Sequence, residues 1–301
     1  MIQLSIERTA ARRLFKELAG QNNHFLITIL VGLDAVEDGA ATLNEGLNAR
    51  WNPQDRKASA RRSRDFAQRS LLAWIVDALD TYVKALSREF DDAIPGGLFT
   101  RTDSNGKEKQ LSLADRLRTL GAHYGVSETT CALVEMGVVW RNRVVHADAA
   151  NRVNSRVKTT LLSSSDFISS EFQNLDISTT LTNVSDSKSP SLKEVTALVR
   201  VAHHYVEAID SGVLKSVSAD AALLKLLVKE IGSDRAGAKK TIEGIWGNEA
   251  SKTSKAIASF AKSRGGFNQN EQSTNRTSLN FIGDLAKLSR LDAFDKFFKV
   301  N

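Results

Sequence analysis

The sequence predicts an all-α protein, and three observations carry that expectation. Only three prolines occur in 301 residues, Pro53, Pro95 and Pro190, so long intervals are free of the residue that breaks helices. Apolar residues recur at three- and four-residue spacing, as in Leu72, Ile75, Leu79, Tyr82 and Leu86, which makes one apolar stripe on a helix. Glycines and capping residues stand where such patterns stop. The length allows two domains or one decorated domain.

The elements follow in order. Ile6 to Ala19 mixes charged and apolar residues as a helix does, with Gly20 placed to end it. Phe25 to Leu47 is expected as a second helix, crossed by Gly32 and Gly39. Asp55 to about Ile94 carries the longest pattern, stopped by Pro95-Gly96-Gly97. The polar run Arg101 to Lys109, containing Asn105-Gly106, reads as an exposed turn. Leu113 to Tyr124 is a short helix. Ser127 then caps a helix with Cys131, Val134, Val138 and Val145 on roughly one side.

From Thr159 to Ser191 the chain is rich in Ser and Thr and loses helical periodicity. Residues 159–190 read as an insertion: a long loop, a β-excursion or a partly disordered segment. Helix resumes from about Ser191 to Ile209. Beyond Gly212 four more helices are expected at about 219–231, 235–246, 249–263 and 278–299, punctuated by Gly232, Gly247 and Gly265-Gly266. A boundary near 213–217 divides the chain into 1–213 and 214–301, with no internal repeat.

Charge is unevenly placed. Residues 214–301 hold 15 Lys and Arg against 9 Asp and Glu, whereas the first 213 residues hold 26 of each. A basic module on a neutral body suits either contact with nucleic acid or a solvated helical surface. Cys131 is the only cysteine, which excludes an intrachain disulfide, and its apolar setting reads as core. One Cys and five scattered His lack zinc-ligand spacing, so neither metal nor organic cofactor is expected. No secretory signal is evident, and Phe25 to Val31 is too short to span a membrane; the chain reads as cytoplasmic, without a membrane partner.

The chemistry-bearing stretch is Arg141-Asn142-Arg143-Val144-Val145-His146, near the end of a predicted helix. It sets a permanent cation, an amide and a titratable imidazole within two turns. Cleavage of RNA by its own 2′-hydroxyl needs a base, an acid and a cation for the phosphorane-like transition state. Histidine suits the proton transfers and arginine the charge. On one ideal helix Arg141 and His146 lie about 140° apart, while Asn142 and His146 are about 40° apart. They share a face only if the helix loosens near His146. Two such helices meeting across a symmetry axis would supply two arginines and two histidines to one cleft, so the chemistry points to a homodimer.

Arg141-Asn142-x-x-x-His146, at a helix end in an all-helical context, resembles the signature of the HEPN superfamily (higher eukaryotes and prokaryotes nucleotide-binding). The resemblance implies a HEPN-like helical bundle over residues 55–213 at most, and a metal-independent endoribonuclease leaving 2′,3′-cyclic phosphate and 5′-hydroxyl ends. It further implies that His146 transfers protons, Arg141 contacts the phosphate, and Asn142 orients substrate or site. The family's setting is toxin–antitoxin and antiphage defence, with RNA, a second copy and an antitoxin or regulatory protein as partners. One departure stands out. In toxins silenced by a nucleotidyltransferase antitoxin, the modified tyrosine lies two positions past the histidine; Asp148 occupies that place here, which argues against that control.

Around the motif, Arg143 and the cations Arg61, Arg62 and Arg64 are the expected RNA contacts. The last three belong to a run with Arg56, Lys57 and Arg69, which reads either as a phosphate track or as a solvated face. Asp77 and Asp80 are candidates to orient Arg141 or His146, against a one-turn ion pair of Asp80 with Lys84. His203 and His204 read as structural, although His203 has the one-turn spacing of a ligand pair with Glu207. Lys239, Lys240, Trp246, Lys252, Lys255, Lys262 and Arg264 suit a helical nucleic-acid binder or a docking module. The alternatives to an enzyme are a non-catalytic helical module binding RNA, a nucleotide or a protein, and a DNA-binding regulator acting through the C-terminal helices.

Overall fold

The computed structural model describes residues 2–298 except 44, 45, 47–49, 91–93, 95, 96, 103, 104, 147, 148, 150 and 233. Leu47, Pro95, Gly96 and Asp148 thus lie outside the described residues. The chain opens with β1 (Ser5–Ile6), α1 (Ala10–Glu37) and α2 (Arg56–Glu89). There follow β2 (Thr100–Thr102), β3 (Glu108–Gln110), α3 (Leu113–His123) and α4 (Glu128–Val145). Next come α5 (Ser155–Ser163), α6 (Ser165–Glu171), α7 (Ile177–Ser185) and α8 (Leu192–Ser216). The remainder is α9 (Ala219–Ile231), α10 (Arg235–Ile245), α11 (Ala250–Gly265), β4 (Phe267–Asn268), α12 (Phe281–Ala286) and α13 (Arg290–Phe297). The protein is all-α, its described strands being two or three residues long. Among the described residues no helix is long and apolar enough to cross a membrane.

Four expectations are corrected. The first two helices are one, because Ala11, Phe15, Ala19, Asn22 and Leu26 form a buried seam at 4-4-3-4 spacing that runs past Gly20. That burial outweighs the cost of an interior glycine, about 1 kcal/mol. Residues 159–190 are not an unstructured insertion: α5, α6 and α7 fill most of them. Val157 and Leu161, Ile168 and Phe172, then Ile177, Leu181 and Val184 are buried at helical spacing. Asn154 caps α5 by accepting from the Arg156 amide, and Asp176 caps α7 by accepting from that of Thr179. Arg101 to Lys109 belongs to an antiparallel hairpin, Thr100 facing Gln110, with Gly106 at φ 75° in its turn. The last expected helix is two, since Ser289 and Asp292 form a capping box that starts α13 afresh.

The chain forms two compact units. Unit 1 comprises Met1–Arg13, Lys84–Pro95 and Asp210–Asn301; unit 2 comprises Leu14–Val83 and Gly96–Ile209. The expected single cut near 213–217 falls close to the Ile209–Asp210 division, but unit 1 also takes two segments from the first third of the chain.

In unit 1, β1 pairs with β4, Ser5 facing Asn268 and Ile6 facing Phe267. Gly266 makes this possible: its φ is +69°, and a Cβ there would stand 2.5 Å from the Arg8 carbonyl oxygen. Trp246 is fully buried and donates its indole N–H to the Leu285 carbonyl at 2.9 Å. The first amides of α1 meet two carboxylates. Asp210 accepts from the Thr9 amide at 3.2 Å and the Thr9 hydroxyl at 2.5 Å; Glu89 accepts from the Ala10 and Ala11 amides at 2.8 and 2.9 Å. These bonds satisfy donors that a helix start otherwise leaves open. Burial pushes both carboxyl groups above their ordinary range, and the hydrogen bonds offset part of that rise.

Unit 2 is centred on α4, whose residues Thr130 to Trp140 are all buried. Gly121 of α3 lets α4 and α8 close in: a Cβ there would meet the Cys131 sulfur at 2.5 Å and the Tyr205 ring at 3.2 Å. The Tyr205 hydroxyl donates to the Leu117 carbonyl at 2.6 Å, and burial pushes its ionisation well up. The expected stripe of α2 is buried throughout, Leu72, Tyr82 and Leu86 completely so.

Candidate functional site

The site stands at the end of α4. Ser127 caps the helix start, accepting from the Thr130 amide at 3.2 Å as its sequence position predicts. Burial is continuous to Trp140, whose indole N–H donates to the Lys188 carbonyl at 2.9 Å. Residues 141–144 are half-buried, and Val145 and His146 are exposed. The helix is therefore fixed along its length and open only at its tip.

Arg141 uses its guanidinium in two directions. One terminal nitrogen donates to Asp77 Oδ1 of α2 at 2.9 Å and the other to Asn142 Oδ1 at 3.1 Å. Its Nε is buried without a hydrogen-bond acceptor among the described residues. Asp77 is 61% exposed, so its pair with Arg141 is worth about 0–1 kcal/mol and yields readily to a competing anion. Of the two carboxylates singled out from sequence, Asp77 thus reaches the motif, while Asp80 accepts from Arg116 at 2.9 Å.

His146 closes α4 as its C-cap, with φ −112° and ψ 113°, and its amide donates to the Asn142 carbonyl at 3.0 Å. That extended backbone ends the helical geometry at His146. The imidazole is exposed and makes no hydrogen bond among the described residues.

Arg143, two residues from Arg141, is built in differently. Its Nε donates to the Ser187 hydroxyl at 3.0 Å, and its terminal nitrogens donate to the Asn151 and Ser185 carbonyls, each at 2.8 Å. Three bonds and the C-terminal end of α7 fix this cation in place. It walls a recess of 470 Å³ that is also lined by Arg152, Lys158, Val153 and Val184, with no carboxylate among the described lining residues. Arg152 and Lys158 were not singled out from sequence. The signal was present in the Asn154 cap, which turns the chain between them.

The other candidates separate. Arg64 is closed off by ion pairs with Asp34 and Glu37, and Arg69 donates to the Ser189 hydroxyl at 2.6 Å. Arg61 and Arg62 are exposed on α2. Arg62 precedes Asp77 by fifteen residues, about 22 Å along one helix, too far to share a site with Arg141 of its own chain. His203 packs edge-on against Phe15 and His204 against Phe172. Among the described residues no group of three His, Cys, Asp or Glu is placed to hold a metal ion. Burial pushes the Cys131 thiol up to about 11, which leaves it unreactive at neutral pH. In unit 1, Lys239, Lys240, Lys252, Lys255, Lys262 and Arg264 are exposed, but Trp246 is core and offers no ring to a base.

No family model, curated protein or solved structure matches this chain.

Proposed function

We propose that the protein is a metal-independent endoribonuclease of the HEPN type, in which His146 takes the 2′-hydroxyl proton and Arg141 neutralises the phosphorane-like transition state. The observation that carries this reading is the end of α4. Arg141 is steadied by Asp77 and Asn142 there, and His146 leaves the helix with an exposed ring. Attack of the 2′-oxygen on phosphorus expels the 5′-oxygen, which takes up a proton, and the products are a 2′,3′-cyclic phosphate and a 5′-hydroxyl. The recess of Arg143, Arg152 and Lys158 holds a flanking phosphate. A homodimer, an antitoxin or other regulatory protein, and a role as a toxin or antiphage effector belong to the same reading.

A second reading is a helical module that holds a phosphate without cutting it. It is favoured by one observation: no described group fixes the His146 ring. Both are tested by incubating the purified protein and its His146→Ala variant with total RNA and tRNA in EDTA, then analysing fragment ends. Cleavage by the wild type alone, with cyclic-phosphate ends, is expected. Equal cleavage by both proteins would overturn the assignment of His146, and RNA bound but intact in both would favour the module.

A further inference from the structure

Within unit 1, helices α9, α10 and α11 pack against one another pairwise. Each contributes buried side chains at helical spacing: Leu223 and Leu227, Ile242 and Ile245, Ile257 and Ala261. Only residues 246–249 separate α10 from α11, and that turn is pinned. The Gly247 amide donates to the Thr253 hydroxyl at 3.1 Å, and Arg290 Nε donates to the Trp246 carbonyl at 2.7 Å. A short glycine-containing turn between two helices, backed by a third, is the arrangement that presents the second helix to a DNA groove.

The second helix carries the charge for that role. Residues 235–264 hold 7 Lys and Arg against 2 Asp and Glu, so five of the six surplus positive charges of residues 214–301 fall here. α11 itself contains no Asp or Glu. On it Lys252, Lys255, Ser259 and Lys262 are all exposed. They fall within an arc of about 80° over about 15 Å of helix, flanked by the exposed Ser251 and Ser263. Lys252 pairs with Glu249 at 2.8 Å, both of them mostly exposed, and such a pair yields to a competing phosphate. Lys255 and Lys262 make no ion pair among the described residues.

We propose that unit 1 binds duplex DNA, with the Lys252, Lys255 and Lys262 face of α11 in the major groove and Arg235 and Lys239 of α10 on the adjoining phosphates. The dimensions favour DNA. A B-form major groove about 12 Å wide admits a helix, whereas that of an RNA duplex is too deep and narrow. A single strand needs aromatic rings to stack on, and a membrane surface needs an apolar face. Among the described residues no large apolar side chain is exposed on α10 or α11. The small serines between the lysines let the helix approach closely. The exposed arc offers no Arg, Asn or Gln to a base edge, so phosphates carry most of the affinity and sequence preference is weak. The activity belongs to unit 1 alone and does not rest on the ribonuclease reading at the end of α4.

The test uses the full chain carrying His146→Ala, so that added RNA stays intact. A fluorescent DNA duplex of mixed sequence is expected to bind with a Kd of about 1–100 µM near physiological salt. Lys252→Gln with Lys255→Gln and Lys262→Gln should weaken binding with unchanged helicity. It should also flatten the slope of log affinity against log salt by about 2.7, the share of three phosphate contacts on B-form DNA. Removing the same charge from unit 2, through Lys107→Gln, Lys109→Gln and Lys193→Gln, is expected to leave binding unchanged. Ser259→Cys supplies an exposed thiol, since Cys131 is buried. It is expected to form a disulfide with a duplex carrying a thiol tether at thymine C5, in the major groove, and not at guanine N2, in the minor groove. No binding at low salt, an equal loss in the unit 2 variant, or crosslinking through guanine alone would overturn the proposal. So would tighter capture, through the same lysines, of an RNA of equal length or of phosphatidylserine vesicles.

Discussion

Two carboxylate–cation clusters sit at helix ends in this protein, and they are built to opposite specifications. At the start of α1, Asp210 is fully buried and accepts from the Thr9 amide and hydroxyl, with the Arg12 guanidinium 3.5 Å away. At the end of α4, Asp77 is mostly exposed and holds Arg141 through one oxygen. In the first, the low dielectric makes every bond strong and every missing bond costly. In the second, water weakens the pair, and the cation remains available to a phosphate. Residue types alone do not distinguish a clamp from a binding group; solvent access does.

The contrast is broken if both carboxylates prove equally dispensable. Asp210→Ala is expected to destabilise by about 3 kcal/mol, because it strands the Thr9 amide and hydroxyl donors in the interior. Asp77→Ala is expected to cost under about 1 kcal/mol while lowering RNA cleavage. Urea midpoints measured for both variants decide it, and equal losses would remove the distinction.

Arg143→Ala sharpens the comparison inside one helix. Losing three bonds to Ser187, Asn151 and Ser185 is expected to cost about 2 kcal/mol, and Arg143→Lys to recover little of it, since an ammonium lacks the planar fork. Arg141→Lys should leave the melting temperature unchanged. A melting curve for each variant checks the order.

Arg152→Ala with Lys158→Ala is expected to leave stability alone and weaken RNA binding. The slope of log affinity against log salt should become shallower by about 1.4, the share of two phosphate contacts on a single strand. An unchanged slope would detach the recess from the RNA.

The smallest effect is in pH. The folded forms of Glu89 and Asp210 hold protons more tightly than the unfolded chain, whose values are near 4.5 and 3.8. As pH falls through their raised folded values, the folded state takes up protons first, so these two groups add stability down to the unfolded values and lose that contribution as pH rises again. Asp176, lowered by its bonds to Thr179, acts in the opposite sense and gives up stability as pH falls below 3.8. Urea midpoints from pH 7 to pH 4 should show a shallower dependence in Asp210→Asn than in the wild type.

Regular spacing was what made parts of this fold legible. The α2 stripe, the Ser127 cap and the bounds of α9 follow from residues within a turn or two of each other, and the structure places them where spacing does. Gly20 misled because a local breaker was weighed without the seam of Ala11, Phe15, Ala19, Asn22 and Leu26 that spans it. The helices between 155 and 185 were hidden by their Ser and Thr content, although Val157, Leu161, Ile177 and Leu181 carry the four-residue period. At the site, the motif was readable as a string of residue types. The difference between Arg141 and Arg143 was not, because Arg143 is held by groups 8 to 44 residues away and Arg141 by one 64 residues away.

Helix α4 will also run on two clocks. Amides from Thr130 to Trp140, all buried, are expected to exchange with solvent only when unit 2 opens as a whole, whereas Val145 and His146, exposed at the tip, are expected to open first. The tip can therefore change without reshaping the bundle. Pinning or unwinding the tip is enough to change how Arg141 and His146 are set, and a slow body with a faster tip is the arrangement in which one bound ligand can act as a brake.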